Sequence, residues 1–155
     1  MKNSLYIIST LVLMLTSGWI GWEGRMLLSD LETKVITKEA ATKVNEDWGN
    51  IIIYTDEASA STYGTENTLT AVAEIKPGME IHPPHQHTAE EFLYVIEGEG
   101  TWSINGVESE AKAGDIMYSR PWDLHGITNT GDKPLRFFVM KWDNKGVKVP
   151  VLKEE

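Results

Sequence analysis

Residues 85–98 read HQHTAEEFLYVIEG, and this stretch is the best guide to the fold. His85 and His87 are two positions apart, so on a β-strand their side chains share a face, with about 7 Å between their Cα atoms. Glu91 follows in phase and adds a carboxylate. Imidazole and carboxylate groups on one face are a typical ligand set for a divalent metal ion. The stretch therefore predicts one side of a metal site.

A second stretch, residues 114–129 with the sequence GDIMYSRPWDLHGITN, supplies one more imidazole. Its His125 is the only one of the four histidines that lies outside the cluster from His82 to His87. A further ligand has to come from another strand across a barrel, and His125 fits that position. The predicted metal ligands are therefore His85, His87, Glu91 and His125.

Three alternatives stay open at this site. Glu90 could replace Glu91, although strand parity favours Glu91. His82 is interpreted as a residue at the rim of the site, with a fifth ligand as the alternative. The barrel could also be vestigial, with the same residues and no bound ion.

The first stretch resembles the first motif of the cupin superfamily. That motif usually runs from Gly through His-x-His and Glu to a second Gly, and His85, His87, Glu91 and Gly98 stand at its internal spacings. The leading glycine departs from the pattern, because six residues separate Gly78 from His85 where five are usual. We expect the extra residue to reshape the approach to the histidines and to leave the ligands in place.

The second stretch resembles the second cupin motif, which runs from Gly through Pro to His and ends at Asn. Gly114 lies eleven positions before His125, and Asn129 lies four after it, as in the family. Pro121 is displaced by one position, and Asp123 stands where a glycine is usual. We expect these departures to change a turn, and we expect Asn129 to brace it.

The resemblance covers roughly residues 51–142 and implies a small all-β fold, an antiparallel double-stranded β-helix or jelly-roll barrel. The strand pattern agrees independently, because short β-rich runs are separated by Gly, Pro and Asn turns. Asn105-Gly106 predicts a type I′ hairpin. The predicted strands are residues 51–54, 68–75, 92–96, 101–104, 107–111, 116–119, 124–128 and 135–142.

An N-terminal hydrophobic helix is expected before the barrel. Residues 5–22 carry no charge and follow Lys2, and as a helix they would span about 27 Å, just enough for a bilayer. Residues 1–24 are interpreted as a signal peptide or a membrane anchor, with a buried helix as the third alternative. Either favoured interpretation predicts an extracytoplasmic domain. The remaining predicted units are a polar spacer or N-terminal arm at 25–47, the barrel at 48–143 and a polar tail at 144–155.

The composition narrows the choice of partner and metal. Asp and Glu total 23 against 14 Lys and Arg, a net charge of −9, so nucleic acid is excluded as a partner because its phosphates would be repelled. The absence of cysteine excludes thiolate sites and disulfides. Three imidazoles and one carboxylate suit Fe, Mn, Ni, Cu or Zn, so we predict one divalent transition metal whose identity stays open.

Aromatic and apolar side chains near the motifs are candidates for a substrate pocket. The last strand has Phe137 and Val139 on one face and Phe138 and Met140 on the other, and strand parity does not decide which face is directed inward. The predicted pocket residues are Trp102, Tyr118, Phe138 and Met140.

The resemblance implies two classes of function. The first is an enzyme for a small organic substrate, of the dioxygenase, lyase, isomerase or decarboxylase type, in which Glu91 is a ligand or the general base. The second is a non-catalytic module that binds a small molecule or a metal. The resemblance also makes a homodimer that pairs through edge strands a candidate assembly, and an uncleaved segment 5–22 would attach the protein to a membrane.

Overall fold

A computed structural model describes residues 33–58, 62–148 and 151 of the chain. These residues form nine strands, and the described residues from Val35 onward belong to one compact unit. The strands are β1 (Thr42–Glu46), β2 (Gly49–Thr55), β3 (Thr65–Ile75), β4 (Glu90–Glu97), β5 (Glu99–Ile104), β6 (Val107–Lys112), β7 (Ile116–Ser119), β8 (His125–Thr128) and β9 (Leu135–Asn144).

The strands form two antiparallel sheets. The larger sheet has the order β1-β2-β3-β9-β4-β7, and the smaller one has the order β6-β5-β8. Every strand pair is antiparallel, as expected for the jelly-roll fold. The predicted all-β antiparallel class is therefore confirmed.

Alternating burial along the strands fixes which side chains fill the core. In β4, Leu93 and Val95 are buried while Phe92 and Tyr94, which alternate with them, are exposed. This period of two is the geometry of a pleated strand with one face inward. Both sheets contribute to one buried apolar cluster, which comprises Ala71, Ala73, Ile75, Leu93, Val95, Trp102, Ala111, Met117, Ile127, Leu135, Phe137 and Val139.

The hairpin between β5 and β6 has the predicted turn. Asn105 and Gly106 both have positive φ, at 50° and 78°, which a type I′ turn requires of its two central residues. The Asn105 side chain also accepts a hydrogen bond from the backbone N–H of Leu124, at 2.9 Å. The hairpin thus holds the residue that precedes His125.

All eight predicted strands are present, but the sheet begins earlier than the sequence indicates. The segment 25–47 was expected to be a spacer or arm, and the structure places β1 at its end, paired with β2 through residues such as Val44 and Ile51. The sequence TKVNE does not indicate a strand, because it has one apolar residue. The strand lies at the edge of the sheet and is mostly exposed. At the other end, β9 extends to Asn144, one residue past the predicted barrel boundary.

The predicted N-terminal hydrophobic helix lies outside the described residues, as does the whole run 5–22. Within residues 33–58, 62–148 and 151, no helix is long and apolar enough to cross a membrane.

Candidate metal centre

Backbone pairing brings His85 and His125 together from distant parts of the chain. The two residues form an isolated antiparallel bridge, and each backbone N–H donates to the carbonyl of the other at 2.9 Å. The approach to His85 packs closely on β8, since a Cβ atom at Gly126 would lie 3.1 Å from the Cα of Pro84. A side chain at residue 126 would thus require the Pro83-Pro84 segment to move by a few tenths of an ångström.

Strand β4 brings the carboxylate to the same place. Glu91 has the inward parity of Leu93 and is 6% exposed, whereas Glu90 faces the other side of the strand. There Glu90 accepts hydrogen bonds from Tyr118 Oη at 2.7 Å and from Asn144 Nδ2 at 2.8 Å. The structure therefore places Glu91, as predicted, and not Glu90 among the histidines.

The four predicted ligands converge on one point. His85, His87, Glu91 and His125 each offer a ligand atom, and these atoms all lie within 4.8 Å of one another. Glu91 Oε2 lies 2.7 Å from His87 Nε2 and 3.4 Å from His125 Nε2. A cluster of this size and composition could hold one divalent cation.

Backbone carbonyls fix which ring nitrogen of two histidines carries the proton. His125 Nδ1 lies 2.8 Å from the carbonyl oxygen of Asp123 and 3.0 Å from Ser119 Oγ, and His87 Nδ1 lies 3.0 Å from the carbonyl oxygen of Ala89. A carbonyl oxygen can only accept, so each Nδ1 must carry a proton. The Nε2 lone pairs of both neutral rings are then left facing Glu91, which is the usual arrangement of histidine ligands.

Two buried nitrogen atoms support the fit of a cation to this cluster. His85 Nδ1 and His125 Nε2 are both buried and have no hydrogen-bond partner. Buried polar atoms are rarely left unsatisfied, because the lost hydration costs about 1–3 kcal/mol each. His87 Nε2 poses the same problem, since its close contact with Glu91 requires either a second proton on the ring or a cation. The donor set therefore fits a divalent metal ion.

The residues of the cluster differ in the direction in which their pKa values are shifted. Burial, together with repulsion from the other three histidines, lowers the pKa of His85 to about 4. Burial raises the pKa of Glu91, but the adjacent imidazoles of His125 and His87 outweigh burial and bring the pKa down to about 2. Burial lowers the pKa of His125, yet the adjacent Glu91 carboxylate and the hydrogen bond to the Asp123 carbonyl raise it overall. Protons and a cation compete for the same lone pairs here.

The surrounding motif residues brace the site. Asn129 is fully buried and donates to the carbonyls of Ile75 and Lys133, both at 2.8 Å, while its Oδ1 accepts from the N–H of Gly131 at 3.0 Å. The predicted bracing role of Asn129 is therefore confirmed. His82 is exposed and its ring stands 4.1 Å from that of His85, at the rim of the cluster.

Asp123 shapes the turn that precedes His125. Its carboxylate accepts a hydrogen bond from Arg120 Nε at 2.8 Å, and its carbonyl orients His125. The positive φ of 70° is taken by Trp122, whose N–H donates to the carbonyl of His87 at 2.8 Å. His125 thus lies in the cluster although Asp123 stands where a glycine is usual.

A cavity of about 200 Å³ opens beside the cluster. Its walls combine apolar residues from both sheets with part of the candidate metal site. The lining residues are Ile51, Leu69, Ile81, His82, His85, Glu91, Leu93, His125, Gly126, Ile127, Phe137, Val139 and Lys141. This cavity is where a ligand could meet a bound ion.

None of the four predicted pocket residues lines this cavity. Trp102 is a core residue, 6% exposed, and Tyr118 is half exposed on the outer face of β7. On β9 the inward set is Phe137 and Val139, so Phe138 and Met140 point outward. The sequence left this parity open because both faces of β9 carry large apolar side chains.

Two functional candidates were missed by sequence reasoning. Lys141 lines the cavity, and its Nζ lies 2.9 Å from Glu57 Oε1. The available signal was the parity of β9, since Lys141 is a single charge in phase with Phe137 and Val139 in the run LRFFVMKW. No comparable signal marks Glu57, which lies in the polar segment after β2.

The fold and the site define a class of protein, a jelly-roll domain with a His₃Glu cluster. Comparison with known proteins supports this class. Residues 71–141 match the family model described as Cupin domain. The fold agrees with a solved RmlC-like cupin from Shewanella frigidimarina, with a TM-score of 0.57 at 16% identity over 74% of this chain and 95% of that one. The polyketide cyclase RemF from Streptomyces resistomycificus gives a TM-score of 0.58 at 20% identity, covering 79% and 89%. Residues 71–141 thus match the cupin family, and the solved structures agree with that fold.

Several curated relatives match about half of the chain. The chain is 38% identical over 78 residues to dimethylsulfoniopropionate lyase DddW of Ruegeria pomeroyi, covering 48% of this chain and 50% of that protein. It is 32% identical over 74 residues to gentisate 1,2-dioxygenase of a Streptomyces species, covering 47% and 20%. It is 34% identical over 73 residues to an oxalate-binding protein of Thermotoga maritima, covering 46% and 60%. The chain thus spans between a fifth and three fifths of the length of these relatives.

Proposed function

We propose that this protein is a metal-dependent cupin enzyme that acts on a small organic substrate. The metal would be a divalent transition ion held by His85, His87, Glu91 and His125. The observation that carries the proposal is the convergence of these ligand atoms within 4.8 Å, with two buried nitrogens that have no other partner. The adjoining cavity gives a substrate access to the same point.

Four protein ligands leave room for chemistry at such an ion. A bound ion would act as a Lewis acid or activate O₂, and an ion that prefers six ligands keeps two positions for substrate or water. Glu91 is ionised near neutral pH, since its pKa lies near 2. It can therefore serve as a ligand or accept a proton as general base. Apolar walls such as Leu93 and Phe137 restrict water around the reacting groups.

The names of two relatives support an enzyme of the dioxygenase or lyase type, and an isomerase is a further proposed type. A gentisate dioxygenase and a dimethylsulfoniopropionate lyase both match about half of this chain at more than 30% identity. The oxalate-binding relative supports the alternative, a cupin that binds a small molecule or a metal without turnover. The two functions differ in whether the ligand is consumed.

Turnover by the metal-loaded full chain tests the enzyme proposal. The protein is loaded separately with Fe(II), Mn(II), Ni(II), Cu(II) and Zn(II) and mixed with a panel of small organic acids, and O₂ uptake and product formation are followed. We expect turnover with at least one ion, its loss in His87→Ala and its retention in Lys145→Met, which replaces an exposed lysine outside the cavity. Tight binding of a panel member without consumption by any loaded form would refute the enzyme proposal in favour of the binding module.

We further propose that the cupin domain is extracytoplasmic. The uncharged run 5–22 behind Lys2 supports export as a signal peptide or attachment to a membrane as an anchor. A reporter fused after Glu155 tests this, because an export-dependent reporter should be active. A reporter that works only in the cytoplasm would contradict export.

A homodimer is also proposed, and the outer face of the large sheet supports it. Phe92, Tyr94, Ile116 and Tyr118 form an exposed apolar patch, with Tyr94 43% and Ile116 62% exposed. Such a patch presents on the order of 400 Å² of apolar surface. That is about half of what one partner of a typical stable interface buries, before the neighbouring Phe138, Met140 and Trp142 are added.

A further inference from the structure

We propose that Lys141 binds the carboxylate of the substrate, so that the substrate class is a small organic carboxylate with an apolar body. The proposal rests on the proposed function, because it concerns the ligand of the same cavity. Lys141, which is not a candidate metal ligand, would recognise the negative charge of the substrate.

The position of Lys141 follows from strand register. Lys141 on β9 lies directly opposite Glu91 on β4, and both side chains face the cavity. Residues opposite each other in an antiparallel pair have Cβ atoms about 5 Å apart. The lysine stem therefore starts next to a candidate metal ligand, and the ammonium extends beyond it.

The ammonium of Lys141 already holds a carboxylate in this structure. Its Nζ lies 2.9 Å from Glu57 Oε1, and the lysine side chain is 24% exposed against 56% for that of Glu57. Glu57 is thus the more solvated partner and follows β2 in a polar segment. The carboxylate of a bound ligand can take its place, and exposed ion pairs of this kind contribute little to stability.

The remaining walls explain why a single cationic side chain matters away from the candidate metal ligands. Among the described residues that line the cavity, Lys141 is the only lysine or arginine, while Ile51, Leu69, Ile127 and Phe137 supply apolar surface. An anion that enters such a cavity loses hydration and needs a cationic partner. The protein as a whole carries a charge of −9, so a lysine at this point runs against its overall charge.

The cavity volume limits the apolar body. About 200 Å³ is available, whereas an apolar cavity of about 150 Å³ accommodates benzene. A body of benzene's size together with one carboxylate fits the space. With the carboxylate on Lys141, the rest of the molecule is directed along the apolar walls toward His85 and His125.

Benzoate and its uncharged isostere benzamide are suitable probes. The full chain is loaded with Zn²⁺, the metal content of each sample is measured, and both probes are titrated by calorimetry. We expect the wild type to bind benzoate at least about tenfold more tightly than benzamide, the usual contribution of a charge-assisted hydrogen bond. Lys141→Met should abolish this preference by weakening benzoate alone, and Lys141→Arg should retain it.

Two further variants keep the test decisive. Glu57→Gln removes the competing carboxylate and should tighten benzoate binding while leaving benzamide unchanged. Lys145→Met removes an exposed lysine that hydrogen-bonds the carbonyl of Thr62, and it should change neither affinity.

An unchanged ratio of the two affinities in Lys141→Met would overturn the proposal, as would a metal-loaded wild type that binds neither probe. In both cases the metal site and the proposed function would stand, since metal content is measured separately. If Lys141→Met does not fold, failure of Glu57→Gln to tighten benzoate binding overturns the proposal instead.

Discussion

Replacing Asn129 with alanine removes three hydrogen bonds from the turn that follows the strand carrying His125. Asn129 is fully buried, and its side chain joins the end of β3 at Ile75 to the backbone of Gly131 and Lys133. The alanine variant leaves the Ile75 carbonyl without this donor in the interior. The contacts with Gly131 and Lys133 are partly buried, so water can replace them more readily.

The contacts set the size of the effect. Losing the partner of a buried carbonyl costs about 2 kcal/mol, and each of the two partly buried bonds contributes about 0.5 kcal/mol, so Asn129→Ala should destabilise the protein by about 3 kcal/mol. For a domain of this size, that corresponds to a fall in Tm of about 10 °C. Asn50→Ala removes a single 3.3 Å bond to Glu74 and should cost less than about 1 kcal/mol.

Urea unfolding of the full chain, followed by circular dichroism, measures both variants. The account predicts a large shift of the midpoint for Asn129→Ala and a small one for Asn50→Ala, with unchanged slopes. Equal destabilisation of the two variants, or a loss below about 1 kcal/mol at Asn129, would refute the reasoning that this side chain braces the site.

Gly98→Ala should destabilise the protein more than Gly106→Ala in the same unfolding assay. Gly98 has a φ of +90°, and a Cβ atom there would lie 2.6 Å from a backbone oxygen, whereas a Cβ atom at Gly106 meets open space. Equal destabilisation by the two variants would contradict this expectation. Tyr94→Glu should yield monomers in sedimentation velocity by placing a charge in the apolar face, and an unchanged dimer would exclude that face as the interface. Ser119→Ala should weaken metal binding about tenfold by loosening the ring of His125, measured by chelator competition, and unchanged affinity would show that the Asp123 carbonyl alone orients the ring.

The strands and the candidate ligands were predictable because their signals are local. Alternation in residues 92–96 marks β4, and Asn105-Gly106 marks the next hairpin. The spacings among His85, His87 and Glu91 encode a shared face directly. β1 could not be predicted in the same way, because it is held by pairing with β2 and has almost no apolar pattern of its own.

The pocket was predicted incorrectly for a different physical reason. Alternation along β9 defines two faces but does not say which one is inside. Phe138 and Met140 lie on an outer face that is itself apolar, so hydrophobicity could not distinguish it from the inner face of Phe137 and Val139. Lys141 can be assigned to the inner face of β9 only after the cavity has been located.

Metal content is the most direct test of the central claim, that the His₃Glu cluster holds a divalent ion. The full chain is purified anaerobically and analysed for transition metals beside His125→Ala, with His82→Ala as a control at the rim. The account predicts close to one ion per chain in the wild type and in His82→Ala, and a loss of most of it in His125→Ala. Less than about a tenth of an equivalent in the wild type, also after incubation with each candidate ion, would contradict the account.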